Sequence, residues 1–85
     1  YPALSLAREV MRQGHLWGAA FNAAKEVALD RFIAGDIGFL DMAVVVEKAL
    51  HDMDRAGLLA TAPRDLTDVL QADQATRERA RTLNV

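Results

Sequence analysis

The 85-residue sequence contains no cysteine, which excludes a disulfide framework and any thiolate metal site. It has no apolar run of the roughly 18–20 residues that a membrane-spanning helix requires, and no signal-peptide pattern opens it. Neither sign of charge dominates: ten basic side chains stand against twelve acidic ones, for a formal net charge of −2. That balance favours neither nucleic acid nor an anionic membrane surface as a partner. A glycine-rich phosphate loop, a nucleophile–base constellation and a pair of carboxylates framed by a cleft are all missing. So are internal repeats, low-complexity tracts and an initiator methionine, since the chain opens at Tyr1-Pro2. The expectation is one small domain, a piece of a larger polypeptide, in a cytoplasmic protein.

What remains is a globular composition, 52% hydrophobic and 26% charged, unlike that of a disordered chain. A domain this short buries only about 60% or slightly more of its unfolded surface, so its stability margin is thin. The stretch around which the rest is organised is Trp17 to Gly35, WGAAFNAAKEVALDRFIAG. At about 100° per residue, Ala20, Phe21, Ala24, Val27, Ala28 and Phe32 share one broad arc of a helix. Asn22, Lys25, Glu26 and Asp30 share another, with Ala19, Leu29 and Ile33 among them. A helix that is apolar on both sides is an interior one. This pattern predicts a rod wrapped by the other helices, with its second face against another helix or another domain.

Before it, Tyr1 to Gly14 reads as a first helix, with Pro2 at its opening turn and Gly14 as its stop. Leu4, Ala7, Val10 and Met11 keep helical spacing. His15 to Gly18 forms the turn or the frayed start of the central helix, which ends at Gly35. Asp36-Ile37-Gly38-Phe39 is expected to be extended, with Ile37 and Phe39 plugging one end of the bundle together. Asp41, as N-cap or first-turn acid, opens a third helix with the stripe Met42, Val45, Val46, Ala49, Leu50 and Met53. Ala56 to Arg64 is irregular, marked by Gly57 and Pro63. Asp65 caps a last helix running to about Leu83, with Leu66, Val69, Leu70, Ala80 and Leu83 as its buried edge. Asp73 interrupts that edge, so the helix is expected to break and restart there. The result is an all-α fold, a small four-helix bundle with short connections.

The titratable groups read as structural. Glu47 and His51 stand one turn apart, but dimetal bundles repeat a Glu-x-x-His pair on two helices and add two glutamates. Here the spacing is Glu-x-x-x-His and occurs once, which favours a solvated pair over a metal site. His15 follows Gly14 at the end of the first helix, where the helix dipole favours its charged form. Lys25 on a mostly buried helix raises a reactive-lysine reading; Glu26 and Asp30 nearby favour an ion pair, or a contact to a missing domain. Asn22 and Glu26, one turn apart, suit a mutual hydrogen bond, a hold on a neighbouring loop, or equally plain solvation. Asp73 and Arg77 have the favourable i,i+4 orientation. Arg77, Arg79 and Arg81 do not share a helix face, and no aromatics interleave with them. No catalytic, cofactor-binding or metal-ligating residue emerges from the residues alone.

Four pieces of the sequence carry a resemblance: YPALSLA at the start, FNAAKEVALDRFIAG, the I-x-F-x-D run of Ile37, Phe39 and Asp41, and VLQADQATRERA near the end. In this order and at these separations they resemble the C-terminal helical domain of the deoxyxylulose-phosphate reductoisomerase family, over nearly the whole chain. The family pattern is usually NAANEVAV. This chain keeps Asn22, Ala23, Ala24, Glu26, Val27 and Ala28 but carries Lys25 in place of the second Asn. Leu40 stands where the family often has a small hydroxyl residue able to cap the third helix.

The resemblance implies an enzyme with a Rossmann-type NADPH domain, a central catalytic domain and this helical domain at its C-terminus. It implies NADPH and Mg²⁺ or Mn²⁺ as cofactors of the full-length enzyme, held by the other two domains, and a homodimer. The implied reaction is an aldol-type rearrangement of 1-deoxy-D-xylulose 5-phosphate followed by hydride transfer, giving 2-C-methyl-D-erythritol 4-phosphate for isoprenoid biosynthesis. The 85 residues would be inactive alone. Asn22, Lys25, Leu29 and Ile33 are the expected contact with the other domains of the same polypeptide. The competing reading is a free-standing helical protein-interaction module; a metal-dependent bundle enzyme is a third.

Overall fold

The structure, a computed structural model, describes residues 16–59 and 65–85. Among these it contains three α-helices and no strand: α1 (Trp17–Ile33), α2 (Phe39–Arg55) and α3 (Leu66–Thr82). The all-α class is as expected. Three helices are described where four were expected, because the helix read over Tyr1–Gly14 lies outside the described residues, as do His15 and positions 60–64.

Helix α1 is the hub, packing against both α2 and α3 more extensively than those two pack on each other. Its chemistry explains why. Ala20, Ala23, Ala24 and Ala28 are wholly buried and Val27 nearly so, so the flanking helices meet a surface with almost no side chain standing in the way. Phe21 and Trp17 pack partly buried against the same core. Phe32, expected in that core, is 38% exposed. It sits in the last turn of α1, where its ring meets only the exposed first residue of α2, Phe39, edge-on at 5.9 Å between centroids.

Both connections begin with a glycine at positive φ. Gly35 (φ 79°) follows α1 and Gly57 (φ 79°) follows α2, a conformation that a Cβ disfavours. At the first, the Gly35 and Asp36 N–H groups donate to the carbonyls of Phe32 and Arg31 at 3.0 and 2.9 Å; at the second, Gly57 and Leu58 donate to Asp54 and Met53 at 3.0 and 3.1 Å. This pairing satisfies carbonyls that a helix end leaves unmatched. The expected stop at Gly35 is therefore where the chain turns.

The start of α2 departs from expectation. Gly38 is the extended N-cap residue, and the Asp41 carboxylate accepts its N–H at 2.8 Å. Phe39 is already helical. The two-residue alternation breaks at that point, so Ile37 is buried while Phe39 is 70% exposed, and they do not plug the bundle end together. Leu40 is two residues past the cap, so a hydroxyl there would not be the N-cap in this geometry. Downstream, Val45, Val46, Ala49, Leu50 and Met53 are buried as their spacing predicts, with Met42 packed beside them.

Asp65 caps α3 as expected, accepting the Asp68 N–H at 3.2 Å. The buried positions of α3 are Ala72, Thr76 and Ala80, followed by Leu83, with Val69 packed against them. Leu66 and Leu70, expected inside, are 70% and 57% exposed. The stripe is displaced by part of a turn, so Asp73 is not required to be apolar, and α3 runs through it unbroken. Thr76, the one fully buried polar side chain among the described residues, donates its hydroxyl to the Ala72 carbonyl at 2.6 Å.

Candidate functional site

The face of α1 turned away from the core carries Asn22, Lys25, Leu29 and Ile33. On a helix these four fall within an arc of about 80°, opposite the buried alanines. All four are exposed, Ile33 at 73%. This face is polar toward the middle of the helix and apolar toward its C-terminal end. No described residue pairs with Lys25: Glu26 turns away from it and reaches Arg77 instead, with Arg77 Nη2 to Glu26 Oε2 at 2.5 Å. The expected Lys25 ion pair with Glu26 or Asp30 is absent among the described residues, and so is an Asn22–Glu26 hydrogen bond.

Arg77 also donates from Nε to Asp73 Oδ2 at 2.8 Å, the i,i+4 pair that the spacing predicts. Two carboxylates therefore converge on one guanidinium, tying α1 to α3. The Asp73 hydrogen bond, then that of Glu26, hold Arg77 protonated above its ordinary range. Arg79 donates to Asp52 at 2.7 Å and ties α2 to α3. Of the three arginines near the C-terminus only Arg81 makes no ion pair among the described residues. Arg77 and Arg79 thus form cross-helix ties rather than a basic surface.

One tie escaped the sequence reading. Arg31, in the last turn of α1, donates from Nη1 to the carbonyls of both Ala80 and Leu83 at 2.8 Å, and from Nε to Asp36 Oδ2 at 2.6 Å. One side chain thus caps the end of α3 and braces the turn after α1. The only sequence signal is a basic residue at a helix C-terminus, which points to its own helix and not to another.

Between α2 and α3, an open depression of about 510 Å³ is lined by Glu47, Lys48, His51, Asp52, Arg79 and Leu83. Its charges are mixed, and Arg79 and Asp52 already neutralise each other. Glu47 and His51 are exposed, and no three His, Cys, Asp or Glu side chains converge among the described residues. The residues present do not fit a divalent cation. No described helix is long and apolar enough to cross a membrane.

A family model for the DXP reductoisomerase C-terminal domain matches residues 1–79. The chain belongs to that family. It is 58% identical over 80 residues to the 1-deoxy-D-xylulose 5-phosphate reductoisomerase of Cereibacter sphaeroides, covering 94% of this chain and 20% of that protein. The corresponding enzyme of Jannaschia sp. is 54% identical over 77 residues, 91% of this chain and 20% of the relative. That of Ruegeria pomeroyi is 57% identical over 79 residues, 93% and 20%. The chain spans about one fifth of the length of the curated relatives it matches. Membership of the reductoisomerase domain family agrees with the all-helical fold of the described residues.

Proposed function

We propose that this chain is the C-terminal structural domain of an NADPH-dependent reductoisomerase that converts 1-deoxy-D-xylulose 5-phosphate to 2-C-methyl-D-erythritol 4-phosphate in isoprenoid biosynthesis. The single observation that carries the reading is identity of 50–58% to enzymes of that name over nearly the whole chain. The polypeptide bearing it acts in the cytoplasm as a homodimer. Its nicotinamide cofactor and its Mg²⁺ or Mn²⁺ are held by the cofactor-binding and catalytic domains, since the described residues of this one offer no ligand set. The helical domain contributes rigidity, not a reacting group. Its outer face on α1, bearing Asn22, Lys25, Leu29 and Ile33, contacts those domains, and Lys25 is free to answer a carboxylate there.

The test is an assay of the full-length protein for NADPH oxidation dependent on deoxyxylulose phosphate and on Mg²⁺ or Mn²⁺. Turnover that requires all three is the expected result, together with none from the 85-residue chain. A full-length protein that binds NADPH yet leaves deoxyxylulose phosphate untouched would overturn the reading in favour of a divergent activity.

A further inference from the structure

The exposed apolar side chains are not scattered. Leu29, Phe32 and Ile33, at i, i+3 and i+4, occupy the C-terminal end of α1, and Phe39, Leu40 and Val44 occupy the N-terminal end of α2. The two sets flank the short Ala34–Gly38 turn, and the edge-on contact of Phe32 with Phe39 joins them. Leu40, at 82%, is the most exposed of the large apolar residues described. Together the six expose on the order of 600 Å², the upper end of what a monomeric protein shows as its largest apolar patch. The polar ring expected around a docking site is also present. Asp36 and Arg31 are paired on one side of the turn, and Lys25 and Asn22 continue α1 away from it.

We infer that this tip of the α1–α2 hairpin, centred on Ile33, Phe39 and Leu40, is the apolar centre of a docking surface for the other domains of the same polypeptide. The inference rests on the reductoisomerase reading and places the energetic middle of the contact about two turns of α1 beyond Lys25 and about three beyond Asn22; these two residues become its rim. Two considerations select this occupant over a second copy of the domain. About four fifths of the length of the relatives lies outside the matched region, so ample chain exists to cover the patch. A patch of roughly 600 Å² is also smaller than the ~800 Å² per partner of a standard stable complex. It suits an intramolecular contact, where a tether raises the effective concentration to about the millimolar range.

The test uses the full-length protein with single substitutions Leu40→Cys and, at the far end of the bundle, Leu66→Cys, which is 70% exposed. The domain itself has no cysteine, so maleimide labelling of the two peptides is read separately by mass. Labelling of Leu40→Cys at least about ten-fold slower than Leu66→Cys, unchanged on dilution to monomer, is the expected result. Equal rates would overturn the inference, and protection lost on dilution would assign the patch to a second copy instead. A protein that shows the protection but does not turn over deoxyxylulose phosphate would sink the enzymatic reading and leave the docking surface standing.

Discussion

Arg31 brings one guanidinium to two helix ends. The last carbonyls of α3 have no helical N–H to accept from, and Arg31 supplies donors to Ala80 and Leu83 from a side chain only 15% exposed. Replacing it with Met keeps most of the aliphatic packing but leaves two partly buried carbonyls unpaired. The expected loss is about 1–3 kcal/mol, seen as a lower urea midpoint in the circular dichroism of the 85-residue chain. Arg31→Lys should recover only part, because an ammonium lacks the fork that serves Asp36 and the carbonyls at once. Asp36→Asn should cost at most about 0.5 kcal/mol, since that carboxylate is largely exposed and the pair is screened. If Met and Asn cost the same, the cap is not what holds the end of α3. Arg31 also marks where sequence reasoning ends. Its partners lie 49 and 52 residues away, whereas the Asp65 cap and the Asp73–Arg77 pair lie within one turn and were legible from spacing alone.

Between residues and the molecule stand the helix ends, where glycine decides the sign of a substitution. Gly18 lies inside the first turn of α1 and a Cβ there would meet nothing within 4 Å; Gly35 has equally open surroundings but φ of 79°. Sterics therefore drop out and backbone preference alone remains. Gly18→Ala should stabilise by roughly 0.5–1 kcal/mol, as expected for a helical position. Gly35→Ala should destabilise by about 1–2 kcal/mol, because it forces an L-residue into the left-handed region. Opposite shifts in melting temperature check the pair; shifts of the same sign would mean that the α1–α2 turn is not held as described. Element boundaries of this kind were readable because glycine and aspartate act locally. The buried edge of α3 was not. Leu66 and Leu70 are apolar and helically spaced, and only the position of α1, packed against Ala72, Thr76 and Ala80, sets the stripe elsewhere. Phe39 was misplaced for a related reason: where α2 begins is settled by the Gly38–Asp41 hydrogen bond, not by hydrophobic alternation.

At the scale of the whole molecule, α1 has two jobs on two sides. Its alanine face lets α2 and α3 close around it, which the sequence foretold as an interior helix. Its other face, expected to meet a neighbour, is in water within this domain. That contrast makes a clean experiment, because Leu29 and Ile33 are 45% and 73% exposed. Substitutions at such positions normally change a domain's own stability by no more than about 0.5 kcal/mol. Leu29→Asp combined with Ile33→Asp should therefore leave the circular dichroism and melting of the 85-residue chain nearly unchanged. In the full-length protein the same pair would carry two carboxylates into an apolar contact and forfeit two buried aliphatic side chains, each worth about 1.5–3 kcal/mol. The expected outcome there is a melting transition lowered by several degrees and reduced turnover, with Asn22→Ser as a rim substitution changing little. If the double variant melts and turns over like the parent in the full-length protein, the outer face of α1 is plain solvent-facing surface. If it destabilises the 85-residue chain just as much, the effect belongs to the fold of the domain and not to its docking.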